Sequence, residues 1–313
     1  MELIAGILLS MPGAASQGVL WGIMTLGVYI TYKVLDYADL TVDGSFATGG
    51  AVTAVLISSG MNPAFSLFFA LVAGFAAGLI TGVLHTKLQI PAILSGILSQ
   101  LALYSINIMI MGKANMPLLG KSTVVTEVKA ILPALSDNSI ALILGSIVAA
   151  VIICALYWFF GTEMGCCVRA TGNNEYMVRA LGGNTDVMKI FGLMLSNALV
   201  ALSGALVAQT QGYADVGMGI GAIVIGLASV IIGEVLMGKR FSFAYRLASV
   251  IIGSVVYRMI IALVLQLGMK STNLKLLTAI IVAIALSVPV MKTKFAFGKN
   301  MHRQAAIEGE VAK

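Results

Sequence analysis

Apolar residues along this chain fall into long runs separated by short polar interruptions, at about 14–35, 45–60, 64–84, 90–111, 139–161, 189–211, 216–238, 246–268 and 274–291. Most of these runs reach the roughly 17–25 residues that a helix needs to cross a bilayer. The 45–60 run, GSFATGGAVTAVLISSG, is short and glycine-rich and predicts a broken or partly re-entrant helix, as does GYADVGMGIGA at 212–222. Such backbone is tolerable at membrane depth only where protein or a water-filled path surrounds it. The opening MELIAGILLSMPGAAS carries no basic residues and only Glu2 as an early charge, which predicts an uncleaved short helix ending near Pro12 and Gly13 rather than a signal peptide. The pattern reads as an all-α polytopic integral membrane protein, a bundle of about eight transmembrane helices with one or two broken or re-entrant segments.

Composition sharpens this reading by exclusion. Of 313 residues, 59% are hydrophobic and 10% charged, and the mean hydropathy is +1.00. A soluble fold has no place to hide repeated runs of this length. The net charge of +6 lies between the apolar runs rather than in a basic patch, so it sets orientation and does not point to nucleic acid. Arg169, Arg179 and Lys189 before one span, Lys239, Arg240 and Arg246 in a later loop, and Lys292, Lys294, Lys299, His302 and Arg303 after the last span all predict cytoplasmic segments. Lys270 and Lys275 then fall outside, as do Lys113, Lys121 and Lys129. Cys154, Cys166 and Cys167 form no disulfide framework or metal-ligand spacing and are expected to be reduced packing residues.

Residues 1–300 read as one membrane domain and 301–313 as a cytoplasmic tail. The external loop 112–138 is bounded in helix length by Pro117 and Pro133, with Val and Thr residues permitting a short extended piece. It either meets a delivery protein or covers the bundle. No GxxxxGK[ST] phosphate loop, HExxH or CxxC pair occurs, and the two histidines, His85 and His302, lie near membrane edges. No catalytic set is legible, so the chain does not read as an enzyme, and no cofactor or metal of its own is expected.

The most informative polar stretch is 161–189, GTEMGCCVRATGNNEYMVRALGGNTDVMK. Gly172, Asn173 and Asn174 predict a turn, Glu175 to Leu181 a short helix, and Gly182, Gly183 and Asn184 its end. Tyr176, Val178 and Leu181 are expected to anchor that helix, with Glu175 and Arg179 forming an i,i+4 surface pair. Such a helix either docks in a partner's groove or lies on the lipid headgroups. Here the chain resembles the permeases of bacterial ATP-binding-cassette importers of the branched-chain amino acid and ribose type. The resemblance is carried by Arg169-Ala170, Gly172, Asn174, Glu175, Arg179-Ala180-Leu181-Gly182, Asn184, Lys189 and Ser196, and by the SGALVA stretch at 203–208. It implies that loop 162–188 holds the coupling helix that docks on the ATPase, with Arg169, Gly172, Asn174, Glu175, Arg179, Ala180, Leu181 and Gly182 as coupling residues.

A second similarity lies at Asp39-Leu40-Thr41-Val42, Gly44-Ser45 and Gly49-Gly50-Ala51, close to the branch that takes up tryptophan and tyrosine. Asp39 lies beside the expected helix interruption, a setting for a substrate or ion path, whereas Asp43 is expected in a wet loop at the membrane edge. Gln100, Tyr104 and Asn107, spaced to share one helical face, with Asn197 and Gln209, are candidates for lining the path; interhelical hydrogen bonding is the alternative for each. Gly74, Gly78 and Gly82, and Gly217 with Gly221, read as helix-packing stripes. Glu234 reads as an interfacial ion pair.

The resemblance implies a permease subunit in the bacterial cell (inner) membrane, importing an amino acid and by preference an aromatic one. Its implied partners are cytoplasmic ATPases that hold ATP and Mg, an external solute-binding protein, a second permease copy and membrane lipid. A secondary transporter driven by an ion gradient, with Asp39 or Glu234 as the coupling carboxylate, is the rival from another class. An importer of sugars or nucleosides is the rival within the family.

Overall fold

The computed structural model describes residues 2–238, 242–267, 269, 273, 276–284 and 287. Lys239, Arg240, Lys270, Lys275 and the basic tail from Lys292 lie outside the described residues, as do His302 and the expected tail 301–313. The helices run in the order α1 (Glu2–Tyr29), a π-helical turn (Ile30–Val34), α2 (Thr41–Ser58), α3 (Pro63–Thr86), α4 (Ala92–Met111), α5 (Val124–Ile131), α6 (Asp137–Phe159), α7 (Glu163–Asn173), α8 (Glu175–Ala180), α9 (Thr185–Gln211), α10 (Ala222–Met237) and α11 (Phe243–Gln266). A two-stranded antiparallel ribbon joins β1 (Asn115–Pro117) to β2 (Tyr213–Asp215). Among the described residues, six helices are long and apolar enough to cross a membrane, and α2 and α10 are shorter companions.

Punctuation residues set these boundaries. Asn62 caps α3 by accepting from the Ala64 N–H at 2.8 Å, with Pro63 following as first helical residue. Left-handed Gly112 and Gly212 end α4 and α9.

α9 is the axis of the bundle, buried along most of its length and packed by α1, α2 and α3. Small residues make that packing possible. A Cβ at Gly74 or Gly78 of α3 would strike the Asn197 or Leu193 carbonyl of α9, so the expected stripe is a helix contact. Gly49 of α2 meets the Ala201 carbonyl, and Gly204 of α9 meets that of Phe46. α3, α4 and α6 turn outward with exposed Phe65, Phe68, Leu101, Val151 and Trp158, which suits lipid.

Several expectations change. Helix α1 runs unbroken through Pro12, so no short helix ends there. The 45–60 run is not interrupted: α2 is continuous, and its glycines serve close approach to α9. At 212–222 the chain does leave the helix, passing from β2 through turns until Gly221 opens α10. Gly221 sits at φ +86°, so it and Gly217 belong to a turn rather than a packing stripe. In the 112–138 loop the extended piece is 115–117, whereas Val124 to Thr126 begin α5 under a Thr123 capping box. The cysteines are free, but Cys154 and Cys166 are exposed rather than packed.

Lys33, Lys87, Arg169, Arg179, Lys189 and Arg246 lie in or next to the short helices and helix ends that meet at one end of the bundle, the end that the positive-inside bias assigns to the cytoplasm. Glu234 bonds there to Lys33 at 3.2 Å, as an interfacial ion pair. Lys113, Lys121 and Lys129 lie in the connections at the opposite end, which the same bias assigns to the outside.

Candidate coupling surface and buried polar network

At the basic end of the bundle, two asparagines and a glycine shape α8. Asn174 is extended and caps α8 by accepting from the Met177 N–H at 3.1 Å. Gly182 takes φ +83° to end it, and Asn184 caps α9 by accepting from Asp186 and Val187 N–H at 3.1 and 3.2 Å. Ion pairs then brace α8 on α9. Glu175 binds Lys189, and Arg179 donates to Thr185 Oγ1 at 2.7 Å and reaches Asp186 at 3.5 Å. The expected Glu175–Arg179 pair is present at 3.9 Å but is the longest of the three. The hydrogen-bonded Lys189 ammonium holds the Glu175 carboxyl below its ordinary pKa, so this ion pair is kept at neutral pH.

The other coupling candidates differ in what they touch. Gly172 lies so close to the Val34 carbonyl that any Cβ would collide with it, which ties α7 to the π-helical turn after α1. The Arg169 guanidinium stacks over Phe243 at 5.1 Å. Ala180 is exposed. Only Val178 anchors α8, at 5% exposure, while Tyr176 and Leu181 are 77% and 80% exposed. Tyr176 cannot share a face with Val178, because positions two apart point to opposite sides of a helix. With half-exposed Met177 they form an apolar rim projecting from the basic end of the bundle. An open polar cleft of about 670 Å³, lined by His85, Gln89, Arg179, Asp186 and Lys189, lies beside it.

The path candidates separate by how much bonding capacity they retain. Asp39, fully buried, accepts from Thr41 N–H at 2.9 Å and from Asn197 Nδ2 at 2.7 Å. Asn197 in turn accepts from Ser45 at 2.7 Å, so one carboxylate and one amide knit α2 to α9. A hydroxyl relay from Thr41 through Thr81 to Ser99 extends the network to α3 and α4. Gln209 accepts from Val124 N–H and donates to the Pro63 carbonyl and Ser66 hydroxyl. Asp43 is not in a wet loop: it sits in the first turn of α2 and caps α10 by accepting from Gly221 and Ile223 N–H at 2.8 and 3.0 Å. No spacing rule signals that cap, because its donors lie far along the chain. The Gln100, Tyr104 and Asn107 face is divided. Asn107 is buried with both amide atoms unpartnered, Tyr104 is 50% exposed, and Gln100 is intermediate.

The model of the branched-chain amino acid transport system / permease component family matches residues 10–286. The chain is similar to the tyrosine transport system permease protein of Clostridioides difficile (strain R20291), 42% identical over 268 residues that cover 85% of this chain and 87% of that one. It is also similar to the autoinducer 2 import system permease protein LsrC of Yersinia pseudotuberculosis, 32% identical over 171 residues covering 53% of this chain and 45% of that protein. Among solved structures, a metal-chelate type ABC transporter in an inward-facing conformation shares the fold, with TM-score 0.50 and 14% identity over 90% of this chain and 85% of that one. By its match across most of its length, this chain belongs to the family of branched-chain amino acid transport system permease components, and is a multi-pass protein of the bacterial cell membrane.

Proposed function

We propose that this chain is the transmembrane half of an ATP-binding-cassette importer for an amino acid, with an aromatic amino acid such as tyrosine as its solute. The observation that carries the coupling role is the α8 rim. Tyr176, Met177 and Leu181 project from a helix whose other side is braced by Glu175, Arg179, Thr185, Asp186 and Lys189. An exposed apolar rim on a rigid support is what a groove in a partner ATPase recognises. ATP and Mg belong to that partner, whose closure pushes on residues 172–184 and tips the bundle between outward- and inward-facing states. A second copy of the chain completes the path, and an external solute-binding protein delivers to the surface around 112–138. The solute assignment draws its support from the tyrosine permease likeness. Gln100, Tyr104 and Asn107 are the path candidates with bonding capacity left for a solute, whereas that of Asp39, Asn197 and Gln209 is committed within the chain.

The test is purification of the tagged chain from its host in mild detergent, with identification of co-purifying proteins. A stoichiometric P-loop ATPase is expected, and it should be lost from the double variant Tyr176→Asp, Leu181→Asp. Purification of the wild-type chain alone, even after crosslinking, would sink the coupling assignment. In a strain lacking the chain, restored uptake of radiolabelled tyrosine over leucine tests the solute.

A further inference from the structure

Arg258, on α11, has its Nε buried without a partner and its guanidinium carbon 4.0 Å from the centroid of the Trp21 ring. Among the described residues no carboxylate forms an ion pair with it. The sequence explains this: between Glu234 and Glu308 there is no Asp or Glu at all, and α1 has only Glu2 at its far end. Asp39 and Asp43, the carboxylates within the bundle, are committed to Asn197 and to the α10 N-terminus. A cation withdrawn from water without a counter-charge is expensive, and the aromatic face offsets only part of the cost.

Its surroundings add unpartnered groups that can donate but, among the described residues, no carboxylate. Trp21 Nε1 is buried and unpartnered, as is the hydroxyl of Ser254, one turn back on the same face of α11. Buried polar groups are nearly always paired, so an unpartnered guanidinium Nε stacked on a tryptophan whose own N–H is unpartnered points to a missing anion. Arg258 is half-buried, which leaves part of the side chain reachable from outside the chain.

Depth narrows the identity of the anion. Arg258 lies eight residues before Gln266, about 12 Å from the external end of α11, and fifteen after Phe243, about 22 Å from the cytoplasmic end. Helical side chains lean toward the helix N-terminus, and here that carries the guanidinium away from the nearer surface and onto Trp21. It does not snorkel toward the headgroups as lipid-facing arginines do. We propose that Arg258, stacked on Trp21, is the intramembrane site for the carboxylate of the transported solute. This rests on the amino-acid-importer reading, and it places the charged end of the solute against the α1–α11 pair.

The test compares wild type and Arg258→Gln, at equal amounts of assembled complex, in uptake of radiolabelled tyrosine, tryptophan and leucine and of an uncharged sugar and nucleoside. Loss of amino acid uptake by about tenfold or more is expected, the scale of one charge-assisted contact. Uptake within twofold of wild type overturns the site while leaving the importer reading intact. Uptake by the wild type of the sugar or nucleoside alone overturns both. Should Arg258→Gln fail to assemble, Arg258→Lys, which keeps charge but not the planar fork, should raise KM with kcat nearly kept; an unchanged KM overturns the site. An anionic phospholipid bound to the wild type and lost from Arg258→Gln, with uptake unaltered, would assign the site to a lipid phosphate instead.

Discussion

Single residues govern this bundle chiefly by being small or by capping at a distance. Gly49 and Gly60 belong to the same helix and its C-terminal turn, yet a methyl group should cost each of them stability for a different reason. At Gly49 a Cβ collides with the Ala201 carbonyl, so Gly49→Ala must push α2 from α9 and should cost about 1–3 kcal/mol, as overpacking does. At Gly60, with φ +85° and open space around it, Gly60→Ala meets only backbone strain of about 1 kcal/mol. Thermal midpoints of detergent-solubilised protein should therefore drop further for Gly49→Ala; equal drops would mean that α2 and α9 are not in close contact. Asp43 offers a second comparison. Asp43→Ala removes both acceptors from the start of α10 and should cost about 1–2 kcal/mol, while Asp43→Asn keeps one acceptor and should lose less. The same thermal assay ranks the two, and an Asn variant as unstable as Ala would argue against the cap.

At the scale of elements, α8 is held by charges and presents apolar groups, so the two sets of substitutions should separate. Arg179→Glu breaks the bonds to Thr185 and Asp186 and sets like charges together, unlatching α8 from α9. Limited proteolysis should then cut within 172–184 several-fold faster, with the thermal midpoint of the bundle nearly unchanged; an unaltered cleavage rate would contradict the latch. The pH response follows from Glu175. Its pKa is depressed by Lys189, so the stabilisation from this pair is full above the ordinary carboxylate range and is lost as pH falls through the lowered value. Co-purification of an ATPase should hold from neutral pH to about 5 and decline only below about 4 on this account. The boundaries of α8 are legible in the sequence because Asn174, Gly182 and Asn184 act locally. Its outward face is not, because which residues of a six-residue helix meet α9 depends on tertiary placement. For the same reason the glycines of α2 predict an interruption: glycine signals either a break or a close neighbour, and only the partner helix distinguishes the two.

Across the whole molecule, the span pattern follows from length alone and is largely readable in advance, while the centrality of α9 and the polar ties of Asp39 and Gln209 are not. Those ties join residues more than a hundred positions apart or cross between unrelated loops, and no local periodicity encodes them. Orientation is the global property that chemistry can test directly, since the three free cysteines occupy distinguishable places. Cys166 is exposed on α7 at the end assigned to the cytoplasm, whereas Cys154 is exposed on the apolar face of α6, where lipid covers it. Leu119, 88% exposed in the connection between β1 and α5, marks the opposite side. In intact cells a membrane-impermeant maleimide should leave both Cys154 and Cys166 unmodified but label Leu119→Cys. In inside-out vesicles Cys166 should react and Leu119→Cys should not. Cys154 should resist the impermeant reagent in both preparations and yield only to a small permeant one. The reverse pattern for Cys166 and Leu119→Cys would invert the bundle. It would put α8 outside the cell, where no ATPase can meet the rim of Tyr176, Met177 and Leu181, so one labelling experiment on two positions tests topology and coupling together.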